Sequence, residues 1–437
     1  MYWIIFFLYN GIFIPLLYLG AGFAAIFNRK IRRGLVGRVG WRRRLAERLS
    51  RLPAELPRVW VHISSLGEFE QVKPVLKLLK QRPSPVAVIL SFYSPSGFDH
   101  AQKYEFADVV TYLPADTWFN ARRFLSTLRP SIAAVVRHDI WPNFQWRLHR
   151  IGVPSILMDA SVTPHRRISI DFFHRTIRQV YDTFDGVLAT SEASVPMLRR
   201  MVRHAERIRV LGDTRFDQVY ERAQETGRIS DLADSGQFDR RGCLVAGSIW
   251  PQDEKALLPA VARVLGEQLR FTCILVPHEI SAAHLESVED FFREQGYALA
   301  RLSQFRQNPG TLRVLLVDQI GLLANLYALA AMAYVGGGFG TGIHSVLEPA
   351  AHGAAVYFGP RHTNSMEALS LIRNGGGCVL RNSEDFYQAI GRLFSAPHEV
   401  EAQGQRAFRL VQENLGASAR TVEVLLEYLG HRSPHHE

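Results

Sequence analysis

Short apolar runs recur along most of this chain, separated by segments with helical spacing. That alternation restricts the fold more than any other feature. VWVHI (59–63), VAVILSF (86–92), VVTYL (109–113), IAAVV (132–136), SILMDA (155–160) and GVLAT (186–190) are apolar nearly throughout. Strands of that kind are buried on both faces, which is the mark of a parallel sheet with helical crossovers. Helical spacing such as Val72, Val75, Leu76 and Leu79 fills the gaps between them. The pattern pauses over the polar, turn-rich segment ERAQETGRISDLADSGQFDRRG (221–242), which reads as a linker. It resumes with CLVAGS (243–248), FTCILVP (271–277), RVLLVD (313–318), MAYVGGG (332–338) and AAVYFGP (354–360). The expected fold class is α/β, with two Rossmann-like doubly wound lobes over residues 52–220 and 243–415. A helical segment, 416–437, is expected to return to the first lobe. Two such lobes imply a cleft between them, lined by loops at the carboxyl ends of the strands.

Ahead of this pattern, residues 1–28 contain no Asp, Glu, Lys or Arg. The apolar run from Tyr2 to Phe27 is long enough for a membrane-anchor helix, because about 20 residues cross a hydrocarbon core of about 30 Å. Positive charge follows the run instead of preceding it, unlike a cleaved signal peptide. From Arg29 to Arg51 there are ten basic residues and one acid, Glu47, so nine of the chain's ten net positive charges lie in this belt. The basicity is therefore local and does not indicate a nucleic-acid partner. The positive-inside rule places the belt and both lobes on the cytoplasmic side. Trp41 and the leucines suit the headgroup layer, with arginines facing anionic lipid. Three widely spaced cysteines form no disulfide framework or zinc spacing and read as small buried hydrophobes.

Candidate chemistry collects where strands end. Ser64-Ser65-Leu66-Gly67-Glu68 follows the first strand and opens a helix, so Glu68 is either a helix-start acid or a base. Asp139 and Arg137 lie just past IAAVV, either in a capped loop or on the cleft wall. Arg215, in VLGDTRFD, is a cation available to a phosphate or an acidic sugar. The strongest local signal is VGGGFGTGIHSVLEPAA (335–351). Gly338, Gly340 and Gly342 allow close backbone approach to an anion, and a helix expected to open near His344-Ser345 would present free N–H groups. Glu348 is placed to accept hydrogen bonds from ribose hydroxyls, or is a solvated first-turn acid. Ser248, Pro277 and His278 lie at the ends of neighbouring strand runs. Walker A, HExxH and G-x-S-x-G patterns are absent, which argues against a P-loop NTPase, a metalloprotease or a serine hydrolase.

In order along the chain, WVHISSLGE, SFYSPSG, YLPAD, RHDIWPN, ATSEA, VLGDTRFD, AGSIWPQDE, DQIGLLANLY and VGGGFGTGIHSVLEPAA resemble the 3-deoxy-D-manno-oct-2-ulosonic acid (Kdo) transferase family of lipopolysaccharide biosynthesis. The resemblance covers nearly the whole chain. It implies a GT-B glycosyltransferase of the inner (cytoplasmic) membrane that inverts the anomeric centre, with CMP-β-Kdo as donor and a lipid A precursor as acceptor. It implies no cofactor and no metal. It places the catalytic base at Glu68 and a second acid at Asp139. It places CMP on Ser248, Pro277, His278, Gly338, Gly340, Gly342, Ile343, His344, Ser345 and Glu348. Ser65, Gly67 and Arg215 fall on the acceptor side. The chain departs from the family pattern at Arg137, where the first acid of E-x-E-x-W is usual, at Ser345 in place of Asn, and at Pro277-His278 in place of Pro-Arg-His. The same architecture also suits another membrane-associated GT-B sugar transferase, a GT-B-fold nucleotide-sugar epimerase or a membrane-bound nucleotide sensor.

Overall fold

The computed structural model describes residues 2–161, 178–225, 227–305 and 312–430. It divides into two compact units, one formed by Met1–Gln218 with Leu415–Glu437 and the other by Val219–Asn414. Each unit is built on a seven-stranded sheet, and every strand pairing is parallel. The α/β expectation therefore holds for both.

In the first unit the strands are β1 (Arg58–Ile63), β2 (Ala87–Phe92), β3 (Val109–Tyr112), β4 (Ile132–Val136), β5 (Ser155–Ala160), β6 (Gly186–Ala189) and β7 (Ile208–Val210). Their spatial order is β3-β2-β1-β4-β5-β6-β7, so the chain reverses direction across the sheet between β1 and β4. Loops after these two neighbours diverge at a topological switch point, where doubly wound sheets bind ligands. The helix Leu66–Lys80 buries Phe69, Val72, Val75, Leu76 and Leu79 on one face of the sheet. The last helix, Ala417–Gly430, adds Val422 and Leu425 to that same core.

The second unit contains β8 (Cys243–Ile249), β9 (Thr272–Pro277), β10 (Leu299–Arg301), β11 (Val314–Leu316), β12 (Met332–Val335), β13 (Ala355–Phe358) and β14 (Gly377–Val379). Their order is β10-β11-β9-β8-β12-β13-β14, the same topology with its switch between β8 and β12. Short β10 and β14 lie at the edges and carry too few apolar residues to stand out in the sequence. The polar stretch 221–242 packs within this unit through Ile229, Leu232 and Phe238. Cys243 and Cys273 are buried, whereas Cys378 is exposed on an edge strand, contrary to its reading as a buried hydrophobe.

The N-terminal apolar segment is helical, and Trp3–Phe27 is long and apolar enough to cross a membrane. It does not stand free of the first unit. A stripe that includes Ile5, Tyr9, Asn10, Ile14, Tyr18 and Ala25 is buried or half-buried. Tyr9 Oη donates to Asp116 Oδ2 at 2.7 Å, and the Asn10 and Asn143 side-chain amides exchange two 3.0 Å hydrogen bonds. Ile5 packs with Trp146 and Val180. The opposite stripe, with Trp3, Phe7, Leu16, Leu19, Phe23 and Phe27, is exposed. Length and hydropathy suggested a membrane-anchor helix. The polar side chains on its inner face also bind it to the globular unit, where they find hydrogen-bond partners.

Candidate active site

In the first unit, β1 ends at Ile63 and the backbone turns through Ser64 into the helix Leu66–Lys80. Ser65 is the N-cap, its Oγ accepting from Glu68 N at 3.4 Å. Glu68 closes a reciprocal capping box: its Oε2 accepts from Ser64 N at 2.8 Å, Ser64 Oγ at 2.5 Å and Ser65 N at 3.2 Å. All of these contacts fall on one oxygen, and Oε1 has no partner among the described residues. The helix-start reading of Glu68 is thus structurally real, and it leaves a fixed carboxylate with one free oxygen. Gly67 is exposed, and a Cβ there would meet nothing within 4 Å. Glu70 is ion-paired with Lys73 at 2.6 Å.

The adjacent strand β4 delivers Asp139. His62 Nε2 lies 2.9 Å from Asp139 Oδ2, while His62 Nδ1 faces Ser91 Oγ at 2.9 Å and Ser91 O at 3.1 Å. An ionised carboxylate only accepts, so this contact places a proton on Nε2. Trp60 Nε1 donates to the same Ser91 Oγ at 2.8 Å. The loop continues through Trp141, stacked on Tyr93 at 5.0 Å, into the helix Pro142–Arg150. Asp116 caps that helix by accepting from Asn143 N and Phe144 N, both at 3.2 Å. Burial pushes Asp116 up to about 7, against the hydrogen bonds it accepts. The Asp139 loop and the N-terminal helix therefore share Asp116 and Asn143 as common partners.

Arg215 is committed locally. Its guanidinium grips Asp213 with contacts from 2.6 to 3.1 Å, and Gln71 Nε2 adds a 3.4 Å bond to Asp213 Oδ1. Burial alone would raise Asp213, but Arg215 holds it below the usual carboxylate range. Neighbouring Asp159 moves up to about 6 through burial and the charge of Asp213.

In the second unit, the loop after β12 is braced from beneath by Asp253. This fully buried carboxylate accepts from Gly337 N at 2.8 Å, Phe339 N at 3.3 Å, Trp250 N at 2.9 Å and Tyr334 Oη at 2.8 Å. Gly337 has φ +93°, and a Cβ on Gly338 would lie 2.5 Å from Gly359, so both positions require glycine. Gly340 N and Gly342 N fold back onto Gly337 O at 3.0 Å. Asn364 clasps the two sides of Ile343, at 3.3 Å to its N and 3.1 Å to its O. Ser248, at φ +53°, packs its carbonyl under Gly336.

Three rings stack above this loop. His278, just past Pro277 at the end of β9, lies 4.2 Å from Trp250 and 4.5 Å from His344. Trp250 Nε1 donates to His344 Nε2 at 3.1 Å. Burial, and then the charge of His278, lowers the pKa of His344. Ser345 is exposed with no hydroxyl partner among the described residues. The helix expected near His344-Ser345 begins at Leu347 and runs only to Ala351, because residues 342–345 are irregular and Gly342, at φ +123°, is far from helical geometry. Glu348 faces Arg222 at 3.5 Å, and burial raises it while Arg222 opposes the rise.

Ser65, Gly67, Glu68 and Asp139 thus gather at the carboxyl edge of β1 and β4. Ser248, Pro277, His278, Gly338–His344 and Ser345 gather at the corresponding edge of β8, β9 and β12. Arg215 is tied to Asp213, and Glu348 to Arg222. Sequence reasoning missed His62, Asp116, Trp250 and the bracing role of Asp253. His62 alternates within an apolar strand and reads as core, and the partners of the other three are distant in sequence.

A family model described as 3-deoxy-D-manno-octulosonic-acid transferase (kdotransferase) matches residues 41–218, the part that carries Glu68 and Asp139. The 3-deoxy-D-manno-octulosonic acid transferase of Aquifex aeolicus is 28% identical over 350 residues, covering 79% of this chain and 88% of that one. The enzyme of the same description from Haemophilus influenzae is 23% identical over 376 residues, covering 85% and 87%. In architecture the chain is similar to UDP-GlcNAc 2-epimerase from Neisseria meningitidis, with a TM-score of 0.62, 13% identity and coverage of 85% of this chain and 100% of that one. The structural likeness speaks for a GT-B-like fold, while the sequence matches extend across both units and include the strand ends where the candidate residues sit. By sequence the chain is thus similar, over most of its length, to 3-deoxy-D-manno-octulosonic acid transferases.

Proposed function

We propose that this protein transfers Kdo from CMP-β-Kdo to a hydroxyl of a lipid A precursor by single displacement, with inversion at the ketosidic carbon. Glu68 is the general base. The observation that carries this reading is the asymmetric carboxylate: Oε2 is held by Ser64 and Ser65, which fixes its direction, and Oε1 is left to accept the proton of the attacking hydroxyl. Asp139, oriented by His62, assists on the acceptor side.

On the donor side, the Asp253-braced glycine loop offers a rigid backbone surface to the CMP phosphate. His278, stacked across the hydrogen-bonded pair of Trp250 and His344, supplies a ring N–H donor. CMP leaves with one phosphate group, so these preorganised donors have less charge to stabilise than for a nucleoside diphosphate. Glu348 and Ser345 are assigned to the nucleoside. The exposed stripe of the N-terminal helix and the Arg29–Arg51 belt hold the first unit at the inner membrane, with both units in the cytoplasm.

The deciding measurement is CMP release from CMP-Kdo with and without a lipid A precursor, in wild type and Glu68→Gln. Acceptor-dependent release that falls by about 10²–10⁴-fold in the variant supports the reading. Release or isomerisation of donor without acceptor favours the epimerase-type alternative, and near-normal turnover of Glu68→Gln removes Glu68 from the role.

A further inference from the structure

We propose that Arg137 is the receptor for an oxyanion on the acceptor, a phosphate monoester or a sugar carboxylate beside the attacking hydroxyl. This inference rests on the transfer reading above and names the acceptor chemistry that the first unit selects.

Strand register gives its position. β1 pairs with β4 as His62↔Val135, and β4 pairs with β5 as Val136↔Met158. Continuing both registers brings Ser64, Arg137 and Asp159 into one row across the carboxyl edge of three adjacent strands. Arg137 N donates to Met158 O at 2.8 Å, which holds that row together. Neighbouring strands are about 4.8 Å apart. Arg137 therefore stands next to Ser64, the residue that fixes Glu68 Oε2.

The side chain lacks the partners its charge requires. Arg137 has φ +60°, a left-handed conformation that is strained for a residue with a Cβ. Its Nε is buried with no hydrogen-bond partner, and its guanidinium forms no ion pair among the described residues. The two carboxylates that feel its charge are engaged elsewhere. Asp159 accepts from Thr214 N at 3.0 Å and Thr214 Oγ1 at 2.6 Å. Asp213 is held by Arg215 and Gln71. A half-buried guanidinium left in this state is costly, and an incoming oxyanion removes the cost. The planar fork of arginine matches carboxylate and phosphate oxygens two at a time. Strain, burial and a missing partner therefore converge on one cation beside the proposed base.

The test uses full-length protein in detergent micelles, as wild type, Arg137→Gln and Arg137→Lys. Three acceptors are compared: the bis-phosphorylated lipid A precursor, the same lipid lacking its distal phosphate, and the lipid already carrying one Kdo. Arg137→Gln is expected to raise KM about ten- to a hundredfold for the anionic acceptor that the site reads. Turnover and the KM for CMP-Kdo should stay within about twofold of wild type, and Arg137→Lys should recover part of the loss. A loss specific to the distal phosphate identifies a phosphate site, and one specific to the Kdo-bearing lipid a carboxylate site. An equal loss on all three acceptors, or an unchanged KM on all three, overturns the proposal. Equilibrium binding of the bis-phosphorylated and Kdo-bearing lipids without donor separates this inference from the transfer reading. Weaker binding of either lipid by Arg137→Gln supports the anion site even if no transfer occurs, and equal binding of both refutes it even if transfer is observed.

Discussion

His62 Nε2 lies 2.9 Å from Asp139 Oδ2, joining the end of β1 to the loop that follows β4. The imidazole is buried between Ser91 and this carboxylate, so its ring cannot turn without breaking a bond on one side. It fixes the direction in which Asp139 presents its remaining oxygen.

Replacing His62 with Leu should lower turnover about ten- to a hundredfold while leaving CMP affinity unchanged, the scale of one lost hydrogen bond to a charged group. His62→Gln, which keeps a side-chain donor, should lose less. Steady-state rates measured beside calorimetric CMP binding distinguish this positioning role from a general loss of structure, which would reduce both.

Two substitutions separate the two roles of Glu68. Glutamine serves the capping box as glutamate does, so Glu68→Gln should unfold within a few tenths of a kcal/mol of wild type. Glu68→Ala should cost about 0.5–2 kcal/mol. Both should be inactive by the same large factor. An Ala variant that unfolds early beside a Gln variant that is stable yet equally dead would assign the lost activity to chemistry; urea melts and CMP-release rates read the two effects.

Asp253 should behave in the opposite way. Removing its carboxylate leaves the amides of Trp250, Gly337 and Phe339 and the Tyr334 hydroxyl without their acceptor. Asp253→Ala should destabilise the second unit by about 3–5 kcal/mol and abolish CMP binding. Thermal melts with and without CMP check this, and the ligand-induced shift should vanish in the variant while persisting in Glu68→Gln.

Asp116 predicts a pH dependence in the first unit. Its folded pKa of about 7 lies above the unfolded value of about 4. Between those values the folded chain holds a proton that the unfolded chain has released, so the stability contribution falls as pH rises through the window. Wild type should lose more stability between pH 5 and 8 than Asp116→Asn does. Equal slopes for the two proteins in chemical denaturation would show that the buried carboxyl does not titrate there.

Much of the architecture was legible because a parallel sheet buried on both faces writes itself into local sequence. The runs from VWVHI to AAVYFGP became strands within a residue or two at most positions. The glycine-rich loop and the Ser65–Glu68 helix start were visible for the same reason, since turns and caps are set by residues a few positions apart. The family-like landmarks added order to these signals.

What tertiary structure alone decided is the partnership of groups far apart in the chain. His62 and Asp139, Tyr9 and Asp116, and Trp250 with His278 and His344 meet only because parallel strands bring separate loops to one edge. Sequence marks Arg137 only as a cation where an acid is usual, and its lack of a partner emerges when the nearby carboxylates prove to be occupied. The N-terminal segment shows the division most plainly: its composition determined an apolar helix, and its docked face was decided by hydrogen bonds to Asp116 and Asn143, more than a hundred residues away. Hydrophobic period and turn chemistry are local and can be read from sequence, whereas satisfaction of buried polar groups is a property of the assembled fold.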